Sequence, residues 1–106
     1  MEKQDLYEMC KSIIDLNKQR YVIIKNEIED IIRNNISDNM QIERKLDEML
    51  DILLFYETDD SLRTFKKLCK YYFYINPQVT VDYINYYREQ NDPEDVKFGN
   101  KVEIKD

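Results

Sequence analysis

The acidic side chains of residues 43–51 are the best placed in this sequence to do chemistry. Glu43, Asp47 and Asp51 follow one another at four-residue steps, so they share one face if the segment is helical. A second acidic cluster occupies residues 27–30. Paired carboxylates can catalyse glycoside cleavage or bind magnesium. A helical line of Asp and Glu is more often a solvated face, so a carboxylate enzyme or metal-dependent hydrolase ranks last among the functions considered.

The residue types that most enzymes need are missing or scarce. There is no histidine, which excludes Ser-His-Asp and Cys-His triads and histidine-ligated zinc or haem. The two cysteines, Cys10 and Cys69, are too few for a four-cysteine zinc site, and both fall on predicted apolar faces, where we expect buried free thiols. The single glycine, Gly99, excludes phosphate loops and dinucleotide fingerprints. The sequence therefore predicts no catalytic residues, no cofactor and no metal ion.

The composition is that of one small globular domain with a surplus of acidic residues. The 106 residues carry a net charge of −6, with 42% hydrophobic and 36% charged residues. Ile, Asn, Lys and Tyr are abundant and Ala is absent, which indicates AT-rich coding, as in a low-GC bacterium or one of its phages or plasmids. The sequence contains no recognisable signal peptide or membrane span, so we expect a cytoplasmic protein with no membrane partner.

Hydrophobic periodicity predicts an all-α protein, a small bundle of about four helices within residues 1–92. Cap-forming polar residues separate the helices, and Asn76-Pro77 ends the third helix and starts the fourth. Leu54 and Phe55 widen the apolar stripe of the second helix, so we expect its C-terminal end to be buried on most sides. The predicted helices cover about residues 3–34, 39–57, 60–75 and 77–90.

Residues 93–106 form a separate C-terminal tail in this prediction. Apolar residues alternate with polar ones on either side of Gly99-Asn100, a pair typical of two-residue hairpin turns. The alternating runs are very short, and a lone hairpin is marginally stable in water. A short β-hairpin and a disordered tail are therefore equal alternatives.

The first helix is long for so small a domain. At 1.5 Å per residue, residues 3–34 would span roughly 45–48 Å, whereas a compact domain of this size is about 33–35 Å across. The helix is therefore either broken near its middle or extends past the bundle and needs something to lie against. Asn17 and Arg20 interrupt its apolar stripe just before Ile24. Because an Asn in an apolar seam can fix an oligomer's register, these three residues predict a homodimer seam, with two solvated polar side chains as the alternative.

Four basic side chains form a line along the third helix, opposite its apolar face. Arg63, Lys66, Lys67 and Lys70 are spaced at i, i+3, i+4 and i+7. Four basic and two acidic residues give segment 58–76 a net charge of +2 in a chain that is acidic as a whole. Such a line can contact phosphates or an acidic protein. It can equally be the solvated face of an amphipathic helix.

Tyrosines are concentrated near the junction of the third and fourth helices. The chain has nine, and six of them lie between positions 71 and 87. Tyrosine is enriched at protein interfaces because it is large, amphipathic and low in conformational entropy. Core packing is the alternative for part of this set. We expect the partner-binding patch to combine the basic line with Tyr71, Tyr74, Tyr86 and Tyr87.

Together these features favour a non-enzymatic protein-binding module. Its most specific form is a small acidic accessory protein of a phage or mobile element that binds and inhibits a host defence protein. The alternative is a transcriptional regulator whose third and fourth helices form a helix-turn-helix, with Gln78, Thr80 and Arg88 among its DNA contacts. Residues 77–92 carry a net charge of −2, the wrong sign for a DNA groove, so nucleic acid is the less favoured partner.

Overall fold

A computed structural model describes residues 3–91, which form four α-helices joined by short connections. These helices confirm the prediction of a small all-α bundle with a long N-terminal helix. The predicted hairpin or tail at 93–106 lies outside the described residues. The helices are α1, Lys3–Arg33; α2, Asn39–Phe55; α3, Asp59–Phe73; and α4, Pro77–Asn91.

The first helix ends in a left-handed turn at the point where the sequence predicts a stop. Asn35 has a φ of 55°, a conformation that asparagine tolerates better than most residues. The N–H of Ile36 donates to the carbonyl of Ile31 at 3.0 Å, and the N–H of Asn35 donates to Ile32 at 3.2 Å. This pair of bonds is a Schellman motif, which satisfies carbonyls that the helix end would otherwise leave unpaired.

Side-chain caps start the other three helices. Asp38 caps α2 by accepting a backbone N–H from the first turn. Thr58 and Ser61 form a capping box at the start of α3, with the Ser61 N–H donating to Thr58 Oγ1 at 3.0 Å and the Thr58 N–H to Ser61 Oγ at 2.8 Å. Asn76 accepts a backbone N–H from the first turn of α4 at 3.2 Å. Short-range chemistry therefore sets the helix boundaries.

The middle of the bundle is the pair α2 and α3. Successive helices run antiparallel, and α1 and α4 each pack against this pair. Within the described residues, α1 and α4 do not contact each other. Burying one large aliphatic side chain stabilises a fold by roughly 1.5–3 kcal/mol, so the fully buried set dominates the packing energy. Its hydrophobic members, each 0% exposed, are Ile28, Ile42, Leu46, Met49, Ile52, Leu68 and Tyr72.

Tyrosine hydroxyls link α2 to both later helices through its carboxylates. Tyr72 of α3 donates to Glu43 at 2.5 Å, and Tyr83 of α4 donates to Asp47 at 2.8 Å. Burial raises the pKa of Tyr72 to about 12, with the bond to Glu43 adding to the effect. Burial, and then the bond to Asp47, also raise the pKa of Tyr83. Two members of the acidic line on α2 thus accept hydrogen bonds that hold the bundle together, while Asp51 is exposed.

Tyr21 joins α1 to the start of α3. Its hydroxyl donates to the Asp60 carboxylate and lies 2.7 Å from the Thr64 hydroxyl. Lys25 forms an ion pair with the same carboxylate at 2.9 Å. The hydrogen bonds from Tyr21 and Lys25 hold the pKa of Asp60 below its usual range, and burial together with Asp60 raises the pKa of Tyr21 to about 12. These bonds anchor α1 close to the point where it leaves the bundle.

The N-terminal part of α1 extends past the end of the bundle. Every residue from Asp5 to Leu16 is exposed, whereas the core face of α1 begins at Asn17. The helix is continuous through this region, so it extends past the bundle rather than breaking near its middle. The radius of gyration is accordingly 16.2 Å, against about 13 Å for a compact domain of this length.

Three expectations about burial are wrong. Leu54 and Phe55 at the C-terminal end of α2 are 53% and 48% exposed. Cys10 is exposed because it lies on the protruding part of α1, whereas Cys69 is buried as expected. Leu54 and Phe55 lie on the side of α2 that faces away from its buried stripe, since Leu53 at the same level is 2% exposed. Cys10 lies where the apolar face of α1 continues past the end of the bundle.

The bundle should lose stability as the pH rises from about 10 towards 12. In that range the unfolded chain has lost tyrosine protons that folded Tyr21 and Tyr72 still hold, so deprotonation favours unfolding. The free energy of unfolding should fall by up to about 1.4 kcal/mol per pH unit for each such tyrosine. Urea titrations at about pH 8 and about pH 11 measure the loss. Tyr72→Phe should reduce this loss, whereas Tyr74→Phe, at a side chain 81% exposed, should leave it unchanged.

Candidate protein-binding site

A strongly apolar groove of about 440 Å³ lies between α3 and α4. Large hydrophobic side chains form its floor, and polar and basic side chains stand along its rim. Clefts of this size and lining are typical of binding sites. The floor consists of Leu62, Phe65, Cys69, Phe73, Thr80, Ile84 and Tyr87, and the rim of Lys66, Lys70, Tyr74 and Arg88.

The spacing of these residues along each helix explains why they meet. On α3 they lie at 62, 65–66, 69–70 and 73–74, which is one continuous helical face. On α4 they lie at 80, 84 and 87–88, again one face. Because α3 and α4 pack side by side and antiparallel, the two faces meet along a single line. The groove therefore consists of one face of α3 and one face of α4, and only the tertiary fold brings these two faces together.

The floor of the groove leaves apolar surface open to solvent. Phe73 is 47% exposed and Ile84 is 37% exposed. Tyr74, on the rim, packs edge-on against Phe73 with ring centroids 6.0 Å apart. Deeper in, Phe65 and Tyr87 pack with centroids 5.6 Å apart. The two aromatic pairs therefore form part of the lining of the groove, and Phe73 and Ile84 leave apolar surface open to solvent between the basic side chains of the rim.

Lys66, Lys70 and Arg88 give the rim a positive charge that the described chain does not neutralise. Within residues 3–91, none of the three forms an ion pair with a carboxylate. They surround an apolar surface in a chain whose net charge is −6. A cationic rim around a hydrophobic floor attracts acidic groups and orients what binds between them.

The structure brings half of the predicted patch to this groove. Tyr74, Tyr87, Lys66 and Lys70 all line it. Tyr87 also donates to the Glu57 carboxylate at 3.1 Å, so part of its side chain is held by the bundle itself.

The other half of the predicted patch does not line the groove. Tyr71 is half-buried and donates to the Ile36 carbonyl at 2.6 Å. Tyr86 packs against Tyr83, with ring centroids 5.5 Å apart. Arg63 pairs with Asp60 at 3.4 Å, and Lys67 is exposed on α3 outside the groove. The tyrosine cluster therefore divides between the groove and the contacts that hold the helices together.

Three groove residues on α4 were not predicted as part of a protein-binding patch. Thr80 and Arg88 are instead among the expected DNA contacts of the alternative function, and Ile84 is not part of either predicted surface. Their four-residue spacing was visible in the sequence, but it did not show that this face would meet α3. Thr80 is 1% exposed, and its hydroxyl donates to the Asn76 carbonyl at 2.9 Å.

The thiol at the floor of the groove is unreactive. Cys69 is 5% exposed, and burial raises its pKa to about 12. The nucleophilic form of cysteine is the thiolate, which this environment suppresses. No cluster of three or more metal-ligating side chains occurs in the part of the chain that the structure describes.

The predicted seam residues lie at the base of the protruding part of α1. Asn17 is 8% exposed and donates to the Ile13 carbonyl at 2.8 Å. Arg20 is exposed and donates to the Asn17 side-chain oxygen at 3.3 Å. Ile24 is 4% exposed and packs in the chain's own core. The polar pair therefore stands at the boundary between the core face and the exposed face.

Comparisons with protein families, with curated proteins and with solved structures found no match to this chain. Over residues 3–91 there is also no helical stretch with the length and apolar character needed to cross a bilayer. The function of the groove is therefore inferred from the chemistry of the residues that line it.

The two cysteines should differ sharply in reactivity. Ellman's reagent should modify one thiol per native chain, Cys10, because Cys69 is buried and its pKa is raised. In urea both thiols should react. The variant Cys10→Ser should show no fast reaction in the native state, and fast labelling of that variant would contradict the packing of Cys69 described here.

Proposed function

We propose that this chain is a non-enzymatic protein-binding module whose groove binds an amphipathic helix with acidic flanks. One observation carries the proposal. An open hydrophobic floor is bordered by Lys66, Lys70 and Arg88, which have no ion-pair partner in the described residues of a net acidic chain. Helix-in-groove recognition uses this combination of an apolar channel for anchor side chains and charges for orientation.

The dimensions of the groove favour a helix of three to four turns. Each of its two walls is a helix of 15 residues, about 22 Å long. A volume of about 440 Å³ accommodates the anchor side chains that a helix presents at i, i+4 and i+7. Acidic residues on both sides of such anchors would reach Lys66 and Lys70 on α3 and Arg88 on α4.

In its more specific form, the proposal is that the module is a small accessory protein of a phage or mobile element. It acts in the cytoplasm by binding and inhibiting a host defence protein. Small size, AT-rich coding and a net charge of −6 support this origin. The absence of histidine supports an inhibitor that works by occupying a surface rather than by catalysis.

The proposal includes a homodimer. α1 extends beyond the bundle, and its protruding part carries large hydrophobic side chains that are 43–64% exposed. Contiguous exposed apolar surface on a small domain usually marks an interaction site.

A displayed library of amphipathic helical peptides tests the groove directly. Peptides with leucine anchors and randomised flanking charges should be enriched for Asp and Glu when selected on this protein. Phe73→Glu should weaken the enriched peptides at least about tenfold, because a charge on the floor must then be desolvated. Lys70→Glu should weaken them less and mainly reduce the association rate. Fluorescence anisotropy measures both effects.

Tyr86→Glu is the matched control for Phe73→Glu. The two aromatic side chains are similarly exposed, 50% and 47%, but Tyr86 does not line the groove. Binding that is equally weakened by both variants, or selection without preference for acidic flanks, would contradict the proposal. Melting temperatures of the two variants show whether either substitution disturbs the fold.

A DNA-binding regulator is the alternative function, and it has less support. Thr80, one of its expected base contacts, is 1% exposed and bonded to the backbone. The net charge of −2 over residues 77–92 also opposes insertion into a groove. We expect no mobility shift of random duplex DNA, even at low salt. A shift that weakens steeply as salt is added would favour the regulator instead.

A further inference from the structure

We propose that the protruding part of α1, here called the arm and defined as residues 5–16, pairs antiparallel with the arm of a second copy. This inference rests on the proposed homodimer and assigns its interface and register. It does not depend on the groove between α3 and α4.

The apolar face of the arm is a direct continuation of the core face of α1. On a helical wheel, Leu6 and Ile13 lie on the same side as Ile24 and Ile28, which are 4% and 0% exposed in the core. In the arm this face has nothing against it within the described residues. The large hydrophobic side chains of the arm as a whole are Leu6, Tyr7, Met9, Ile13, Ile14 and Leu16, exposed by 52, 64, 51, 43, 44 and 62%.

The area that two arms can cover is that of a weak, transient dimer. At roughly 80–90 Å² for each of the four side chains that one helical seam can cover, two arms would bury about 700 Å² of apolar surface. That total lies below the roughly 1,000–1,200 Å² of stable specific interfaces, so the pair is expected to dissociate readily on dilution. A second copy supplies an equal apolar stripe of equal length, so each arm covers the other.

The spacing of the hydrophobic residues selects a register. Leu6, Met9, Ile13 and Leu16 alternate at three- and four-residue steps, the a and d positions of a heptad repeat. In an antiparallel pair centred between Cys10 and Ser12, Leu6 faces Leu16 of the second copy, and Met9 faces Ile13. All four positions then meet an apolar partner while the two bundles lie at opposite ends of the pair.

Charge favours the antiparallel over the parallel orientation. Arg20 continues the same heptad, one turn beyond Leu16, and it is exposed. A parallel pair would place Arg20 against Arg20 of the second copy, which is a repulsive contact. The antiparallel register instead places Arg20 within about one turn of Asp5 of the second copy, a contact between opposite charges.

Arg20, the next seam position after Leu16, limits the seam at its inner end. It donates to the side-chain oxygen of Asn17, which is 8% exposed and itself bonded to the Ile13 carbonyl. A charged side chain at this position ends the apolar stripe, so sliding one arm deeper along the other would bury polar groups against hydrophobic ones. The pairing therefore stops where the bundle begins.

Cys10 provides a probe of the register that the chain already contains. In the proposed pair, Cys10 and Cys10 of the second copy lie on the same flank, roughly 3 Å apart along the helix axis. In a parallel pair they would lie on opposite flanks. Cys69 cannot compete because it is buried. A short bismaleimide should therefore trap the wild-type dimer covalently and leave Cys10→Ser as single chains.

Light scattering on the full chain tests the dimer itself. At about 1 mM, a concentration at which even a weak dimer is populated, the mass should approach twice the 13.0 kDa of one chain. Leu16→Glu should raise the dissociation constant at least about tenfold. Val22→Glu is the matched control, because Val22 is 55% exposed on the opposite side of α1 and should leave the mass unchanged. Circular dichroism should show that both variants keep the helical fold.

The dimer, its interface on the arm and its antiparallel register are each contradicted by a different experimental outcome. A single-chain mass at this concentration overturns the dimer, and a dimer that survives Leu16→Glu overturns the arm as its interface. A dimer that is not trapped through Cys10 overturns the antiparallel register. Phe73→Glu should leave the mass unchanged, so failure of the arm pairing is distinguishable from failure of peptide binding at the groove.

Discussion

The packing of α1 and α4 onto the pair α2 and α3 is the interaction on which the rest of this structure depends. The most deeply buried side chains, such as Leu46, Met49 and Ile52, come from α2 and are covered only when both outer helices are in place. A chain of 106 residues buries a thin core, and this one concentrates it around a single helix. A partner that binds the outside of the bundle therefore contacts helices whose inner faces are already packed in the core.

Hydrogen bonds between tyrosines and carboxylates give the packing its specificity. Hydrophobic burial is non-directional, whereas the bonds from Tyr72 to Glu43 and from Tyr83 to Asp47 fix α3 and α4 against particular turns of α2. This arrangement also accounts for two members of the acidic line on α2, Glu43 and Asp47, which serve the bundle as structural acceptors. A charged helix face that looks suited to catalysis can therefore be the acceptor half of a packing contact.

The groove and the arm are both apolar surfaces that remain uncovered in the described chain, and they differ in chemistry. The groove between α3 and α4 combines an aromatic floor with a basic rim, which fits an acidic helical ligand. The arm of α1 has a hydrophobic stripe with heptad spacing, which fits an identical helix. The two surfaces lie on different helices, so the proposed pairing of arms and the proposed binding at the groove would not compete for the same residues.

The sequence by itself determined the helices, their boundaries and the chemistry that is excluded, because these depend on local periodicity, caps such as Thr58 and Asn76, and residue counts. It also identified Lys66, Lys70, Tyr74 and Tyr87, since their helical spacing is a short-range property. Only the tertiary structure decided that Ile84 and Arg88 complete their groove, that Tyr71 and Tyr86 lie outside it, and that Cys10, Leu54 and Phe55 are exposed. The physical reason is that periodicity shows which face of a helix is apolar, whereas the lengths and pairings of neighbouring helices decide how much of that face is covered.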